Sequence, residues 1–171
     1  AYFHYAGRTF LPRLAEFPNL VVLRTLSKIG LAGIRLGILA ANPAVVHEVT
    51  TVRLPYNVNA LSQAAARVVL AHGDLVRKNA AAILEERERM LAALRRLPGL
   101  EAYPSDANFF LLRTARPATA VAQALLSRGI AVRDFSGAPG LERCLRVTVG
   151  TREENDTFLA ALAEVLEGRS A

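Results

Sequence analysis

The stretch VLRTLSKIGLAGIRLG, residues 22–37, joins a β-branched apolar run to a glycine-rich turn and places a lysine between them. The chain has 21 basic residues, but Lys28 and Lys78 are its only lysines. A lysine amine does covalent chemistry when it is neutral, a state that burial or a nearby cation favours. The apolar run before Lys28 predicts a buried strand that would shield the amine from water.

The residues around Lys28 have side chains suited to phosphate. Thr25 and Ser27 provide hydroxyls, and Arg35 provides a planar fork of donors. Gly30 allows a bulky ligand to approach the backbone closely. Together these residues predict a phosphate-binding loop beside a reactive amine, which suits a cofactor with both a phosphate and an aldehyde. The alternative, for the residues taken singly, is a surface lysine and an ordinary arginine at the end of a strand.

The pattern outside this loop predicts alternating strands and helices. Strands are expected over 20–26 and 35–40, a short helix is expected to follow the Asn42-Pro43 pair, and residues 60–97 are helical with a restart at Gly73-Asp74. Further on we expect strands near 100–103 and at 108–113, 130–133 and 143–149, a helix at 117–128, and a final helix that begins with a capping box at Thr151 and Glu154. The last part should place helices on one face of a short sheet.

Composition limits the class of protein. Apolar residues make up 52% of the chain and charged residues 21%, as in globular proteins. No apolar stretch approaches the roughly 20 residues that span a bilayer, so no membrane partner is expected. The single cysteine, Cys144, forms no internal disulfide and suits a reducing cytoplasm.

The formal charge of +6 does not by itself indicate nucleic-acid binding. Arginines at 87, 89, 95 and 96 share one predicted helix with Glu85, Glu86 and Glu88, a mixture of charges that is typical of a solvated face. Basic patches with interleaved aromatic residues are absent from the sequence. The three histidines have no metal-ligand spacing with one another or with Cys144, so no metal is assigned.

Three segments resemble one family. TLSKIGLAGIRLG, residues 25–37, closely resembles the lysine segment of the fold-type-I, class II pyridoxal-phosphate-dependent aminotransferases, in the form found in the histidinol-phosphate aminotransferases. CLRVTVGTREENDTFLAAL, residues 144–162, resembles the C-terminal strand and helix of that family, and AYFHYAG, residues 1–7, resembles the run that precedes the lysine. The resemblance covers the whole chain in order and implies a C-terminal portion, roughly half, of such an enzyme.

The resemblance implies an α/β fold in three parts. Residues 1–74 would form the end of a large cofactor-binding domain with a mainly parallel sheet. Residues 75–97 would form a long connecting helix. Residues 98–171 would form a smaller C-terminal α/β domain.

The family's functional residues transfer to individual positions. Lys28 would bind pyridoxal 5′-phosphate covalently, Tyr2 would hydrogen-bond the ring phenolate oxygen, and the phosphate would be held by Thr25, Ser27 and Arg35. The alternative for Tyr2 is an interfacial or core tyrosine.

The resemblance also implies substrate-binding residues. Arg133 and Arg146 would face the anionic end of the substrate, and Asn108 would line the same cleft. The alternatives are strand-edge arginines in salt bridges and, for Asn108, a turn residue.

The implied activity is transamination between L-histidinol phosphate and 2-oxoglutarate, which becomes glutamate, in histidine biosynthesis. The enzyme would be a cytoplasmic homodimer, and the 171-residue chain alone is expected to be inactive. One alternative is a related enzyme such as a threonine-phosphate decarboxylase-like protein. Another is a non-catalytic module whose lysine loop no longer reacts.

Overall fold

The computed structural model describes residues 1–168. These residues form two compact units, residues 1–80 and the residues from 81 onward, which are called the N-terminal and C-terminal units below. The boundary between them falls inside a 22-residue helix, Gly73–Leu94, where the sequence predicts a connecting helix. The division into three parts at residues 74 and 97 stays a prediction.

The N-terminal unit contains a single-turn helix, a strand pair and two longer helices. These elements are α1 (Phe3–Ala6), β1 (Val21–Thr25), β2 (Gly37–Ala41), α2 (Pro43–Val52) and α3 (Ala60–Ala71), followed by the start of α4 (Gly73–Leu94). Asn42 caps α2, since its side chain accepts a hydrogen bond from the Ala44 N–H at 3.0 Å. The predicted start of α2 and the break before α4 are both confirmed.

β1 and β2 pair antiparallel, with Val21 opposite Ala41 and Thr25 opposite Gly37. Every strand pair in residues 1–168 is antiparallel. The predicted α/β class is confirmed, and the mainly parallel sheet expected of the large domain stays a prediction, because residues 1–80 contribute two strands, β1 and β2, which pair with each other. The connection between β1 and β2, residues 26–36, is short. Parallel neighbours require a crossover of about a dozen residues or more, so a short link favours antiparallel pairing.

The C-terminal unit is a four-stranded antiparallel sheet covered by helices. Besides the end of α4, its elements are β3 (Leu100–Ala102), β4 (Phe109–Thr114), α5 (Ala118–Leu126), β5 (Arg133–Asp134), β6 (Cys144–Thr148) and α6 (Arg152–Glu167). The strand order is β3-β4-β6-β5. The strand predicted at 130–133 is wrong in extent, because only Arg133 and Asp134 pair with β6.

The core of the C-terminal unit lies on one face of this sheet. Phe110 and Leu112 of β4 pair directly with Val147 and Leu145 of β6, and all four are buried. The same cluster takes in apolar side chains of three helices, namely Met90, Leu91 and Leu94 of α4, Val121 and Leu125 of α5, and Phe158, Leu162 and Val165 of α6. The prediction of helices packed on one face of a short sheet is confirmed.

A polar network joins α4 to α6. The amide of Asn155, which is 2% exposed, donates to Glu86 Oε2 at 3.0 Å and to the Gly150 carbonyl oxygen at 3.1 Å. Arg89 lies 2.7 Å from both Glu86 and Asp156. The predicted capping box of α6 is also present. These contacts fix the start of α6 against α4.

Arg87 corrects one sequence-based expectation. It is 7% exposed, and its Nη1 donates to the Ala107 carbonyl oxygen at 3.0 Å. The predicted solvated face is therefore wrong at this position, because the guanidinium satisfies a buried carbonyl in the loop before β4.

Candidate active site

Lys28 lies on a tight loop directly after β1. Ser27–Ile29 form one 3₁₀ turn, in which the Ile29 N–H donates to the Leu26 carbonyl oxygen at 3.2 Å. Gly30 follows with φ of 89°, a conformation that glycine adopts without strain. The backbone therefore turns sharply on both sides of the lysine.

The N-terminal turn contacts this loop. Lys28 Nζ lies 5.7 Å from the centre of the Tyr2 ring, within the range of a cation–π contact. The Tyr5 hydroxyl donates to the Lys28 carbonyl oxygen at 2.8 Å. Tyr5 is buried, and burial raises the pKa of its phenol, which keeps the hydroxyl a donor. Sequence reasoning missed Tyr5, although it stands one helical turn after Tyr2.

Two residues with hydroxyl groups, Thr25 and Ser27, precede Lys28. Thr25 Oγ1 accepts a hydrogen bond from the Ser27 N–H at 3.1 Å. This bond holds both residues at the end of β1, and both side chains are half-buried. The local fold thus presents a threonine and a serine hydroxyl on the loop that bears the lysine.

Arg35 ends a second 3₁₀ turn, Ala32–Ile34, with a left-handed backbone (φ 56°). This conformation is uncommon for a residue with a Cβ. Its guanidinium is exposed, and Nη1 donates to the Ala32 carbonyl oxygen at 3.3 Å. Arg35 therefore stands at a turn and not at the end of a strand.

The expected burial of Lys28 is wrong in this structure, where the residue is exposed. The physical reason is the size of the sheet. Among the described residues, β1 pairs with β2 alone, and Leu23 in the middle of β1 is 65% exposed. A two-stranded sheet provides few side chains to cover the amine.

The donor set on this loop fits pyridoxal phosphate. It combines an amine, two hydroxyls, a guanidinium and a neighbouring phenol. A Cβ placed at Gly30 or Gly33 would meet no atom within 4 Å among the described residues, so the loop leaves open space beside the amine. The roles assigned to Tyr2, Thr25, Ser27, Lys28 and Arg35 stay predictions.

The two arginines predicted to bind substrate are neighbours in the C-terminal unit. Arg133 of β5 is directly opposite Arg146 of β6, on the sheet face that does not carry the core. Both also line a cavity of about 720 Å³ beside the start of α6. Neither makes an ion pair with any residue between 1 and 168, so the alternative of strand-edge salt bridges is wrong within that range.

Asn108 lies one residue before β4. Its carbonyl oxygen accepts a hydrogen bond from the Val149 N–H at 2.9 Å, and the residue is half-buried. This backbone contact extends the pairing of β4 with β6. A role for the Asn108 side chain in a substrate cleft stays a prediction.

The candidate residues fall into two groups. Tyr2, Thr25, Ser27, Lys28 and Arg35 belong to the N-terminal unit, and Asn108, Arg133 and Arg146 belong to the C-terminal unit. Within residues 1–168 no three His, Cys, Asp or Glu side chains gather in a way that could hold a metal ion. Across the same residues, no helix combines the length and apolarity that crossing a bilayer requires.

A lysine on a loop with phosphate-type donors, followed by a unit that presents paired arginines, defines a candidate pyridoxal-phosphate enzyme of the aminotransferase class. Residues 1–162 match the family model of the class I and II aminotransferases, and the chain belongs to this family. The predictions of an aminotransferase and of its cofactor are thereby confirmed at the level of the family.

Comparisons with individual proteins show which enzymes the chain is similar to. The chain is 49% identical over 164 residues to histidinol-phosphate aminotransferase 2 of Nitrosococcus oceani, covering 95% of this chain and 46% of the relative. It is 31% identical to the structure of the Sinorhizobium meliloti histidinol-phosphate aminotransferase in complex with pyridoxal-5′-phosphate, with a TM-score of 0.84 over 98% of this chain and 47% of that one. It is 29% identical to the L-threonine-O-3-phosphate decarboxylase of Porphyromonas gingivalis, with a TM-score of 0.86 over 97% and 53% of the two chains. The chain spans about half the length of the curated relatives it matches.

Proposed function

We propose that the full-length gene product transfers the amino group of L-histidinol phosphate to 2-oxoglutarate, with pyridoxal phosphate as cofactor, in histidine biosynthesis. The observation that carries this proposal is the position of Lys28 Nζ, 5.7 Å from the Tyr2 ring centre on a loop with two hydroxyls. The 49% identity to the Nitrosococcus oceani enzyme supports the choice of substrate. The 171-residue chain by itself is expected to be inactive, since its relatives are about twice as long.

The residues of the lysine loop and the neighbouring Tyr2 divide the binding of the cofactor and the transfer of the proton among them. Lys28 Nζ would hold the cofactor covalently, and its free neutral amine would take the proton from the substrate Cα as a general base. Thr25, Ser27 and Arg35 bind the cofactor's phosphate, and the Tyr2 phenol donates to its ring oxygen. Pyridoxal phosphate, when bound, supplies the electron sink for the pair left on Cα.

The arginine pair binds the anionic end of each substrate. Arg133 and Arg146 share one sheet face, so both guanidiniums belong to one positively charged surface. Histidinol phosphate carries a phosphate and 2-oxoglutarate carries carboxylates, and a guanidinium binds either group through two parallel hydrogen bonds. Asn108, one residue before β4, is proposed to line this surface.

The assembled protein is proposed to be a cytoplasmic homodimer. The N-terminal unit exposes large apolar side chains, among them Val52, Leu54 and Leu61, each more than three-quarters exposed. Such side chains are usually covered by protein in the assembled state.

A second candidate activity is decarboxylation of an amino-acid phosphate. The similarity to the Porphyromonas gingivalis decarboxylase favours it, because the fold match covers 97% of this chain. Such an enzyme would use the same lysine loop and bind a phosphate as well. Release of carbon dioxide from L-threonine O-3-phosphate distinguishes this candidate from amino transfer to 2-oxoglutarate.

The test uses the full-length gene product with pyridoxal phosphate. Glutamate should form from histidinol phosphate and 2-oxoglutarate, and Lys28→Ala should abolish its formation. Lys78→Ala is the matched control, because Lys78 is an exposed lysine of α4. Borohydride reduction followed by peptide mapping should label Lys28. A label on Lys78 alone, or full activity of Lys28→Ala, would refute the assignment.

A further inference from the structure

The guanidinium of Arg146 is flanked by two phenylalanine rings. Its Cζ lies 5.2 Å from the centre of the Phe109 ring and 5.7 Å from that of Phe135. The strand register explains this contact. Arg146 pairs with Leu111 on β4 and with Arg133 on β5. Phe109, two residues before Leu111, and Phe135, two residues after Arg133, are therefore its diagonal neighbours. Diagonal neighbours on one sheet face are within reach of aromatic and long side chains.

Arg146 keeps its charge uncompensated by the described residues. Its Nε is buried and has no hydrogen-bond partner within residues 1–168. A buried donor without a partner is unfavourable. The directly opposite residue is Arg133, and like charges opposite each other on a sheet are unfavourable as well. The sheet face therefore concentrates positive charge where an ordinary protein surface would disperse it.

The two rings stabilise this arrangement without neutralising it. The face of an aromatic ring attracts a guanidinium through its quadrupole, and it provides no carboxylate that would compete with an anionic ligand. The rings also limit the rotamers of a long side chain that otherwise loses much freedom on binding. An arginine held in this way is preorganised for an incoming anion.

We propose that Phe109 and Phe135 are positioning residues that orient Arg146 toward the anionic group of the substrate. This proposal rests on the proposed function, in which Arg146 contacts that group. Sequence reasoning did not single out either phenylalanine. Both act through Arg146, so their effect on anion affinity depends on the presence of the guanidinium.

The test measures the inhibition constant of glutarate, a dicarboxylate, together with KM and kcat in the full-length gene product. Phe109→Leu and Phe135→Leu should each raise the glutarate constant and the KM for 2-oxoglutarate about fivefold, with kcat within twofold of wild type. In an Arg146→Ala background the same substitutions should have no further effect. Phe109→Trp, which keeps an aromatic face, should retain most of the affinity.

Phe17→Leu is the matched control. Phe17 is a half-exposed phenylalanine whose ring centre lies 4.7 Å from the Cζ of Arg13. Phe17→Leu therefore removes a similar contact at another arginine. Its glutarate constant should not change. If the leucine variants do not fold, Phe109→Met and Phe135→Met replace them, since methionine keeps much of the volume and lacks the ring.

The possible outcomes distinguish the proposed anion site at Arg146 from the positioning role of Phe109 and Phe135. If Arg146→Ala leaves the glutarate constant unchanged, the proposed anion site itself is wrong. If Arg146→Ala weakens binding but the phenylalanine variants bind like wild type, the positioning role alone is wrong. Equal weakening by the phenylalanine variants with and without Arg146 would likewise overturn it, because the rings would then act independently of the guanidinium.

Discussion

Asn155 joins three parts of the C-terminal unit, and its removal should loosen the start of α6. Its amide donates to Glu86 and to the Gly150 carbonyl oxygen, and its Oδ1 accepts from the Gly150 N–H at 2.9 Å. Asn155→Ala deletes all three hydrogen bonds at a site that is 2% exposed. The Gly150 backbone and the Glu86 carboxylate then each lose a partner.

The expected loss of stability at the start of α6 follows from these three hydrogen bonds. A hydrogen bond between neutral groups contributes about 1 kcal/mol, and one to a charged group about 1.5–3 kcal/mol. Two bonds to Gly150 and one to the Glu86 carboxylate give about 3 kcal/mol, because Arg89 still holds Glu86 in place. The capping box of Thr151 and Glu154 remains intact, so the change does not remove the cap itself.

Hydrogen exchange of the full-length gene product, followed by mass spectrometry of peptides from α6, measures this effect. The protection of α6 amides should fall roughly 100-fold in Asn155→Ala, since about 1.4 kcal/mol corresponds to a factor of ten. Asn79→Ala, at an exposed position of α4, is the control and should leave protection unchanged. A fall in α6 protection of less than about twofold in Asn155→Ala would refute the reasoning.

Three further predictions follow from charge and exposure. The hydrogen bond from Arg89, together with that from Asn155, lowers the pKa of Glu86 from 4.5 to about 2. Because the folded pKa is the lower one, the resulting stabilisation, on the order of 1–2 kcal/mol after screening by solvent, is present above pH 4.5 and lost as the pH falls toward 2. Urea unfolding at about pH 2–6 should show this loss. Arg146→Ala should reduce kcat/KM for histidinol phosphate roughly 30-fold or more, and Arg146→Lys should recover only part of it, because an ammonium lacks the planar fork. The 171-residue chain alone should self-associate in sedimentation velocity, because its N-terminal unit exposes many large apolar side chains.

Matched variants control these predictions. In Glu86→Gln the free energy of unfolding should fall less as the pH is lowered. Glu85→Gln, at an exposed position of the same helix, should leave this pH dependence unchanged. Arg95→Ala, at an exposed position directly after α4, should keep wild-type kcat/KM. Wild-type rates for Arg146→Ala in both half-reactions, or a monodisperse monomer of the 171-residue chain, would contradict the respective prediction.

Local signals were sufficient for much of the fold. The Asn42-Pro43 pair predicted the start of α2, and the Thr151 to Glu154 capping box predicted the start of α6. These signals are local because a cap satisfies backbone groups within one turn of its own residue. The lysine loop was also recognisable from residues that are adjacent in sequence.

The tertiary structure decided what depends on partners distant in sequence. Tyr2 is 26 residues from Lys28, and their contact depends on how the N-terminal turn meets the loop after β1. Strand register placed Arg133 opposite Arg146 and set Phe109 and Phe135 beside its guanidinium.

The sequence by itself therefore determined which chemical groups the protein has and where its helices begin, because both depend on neighbouring residues. Strand direction, the exposure of Lys28 and the burial of Arg87 were decided only in the folded chain. A side chain's exposure depends on how many elements cover it, and strand pairing depends on connections and partners. Neither property is contained in the few residues around a position, which is why sequence reasoning predicted the lysine loop but not its surroundings.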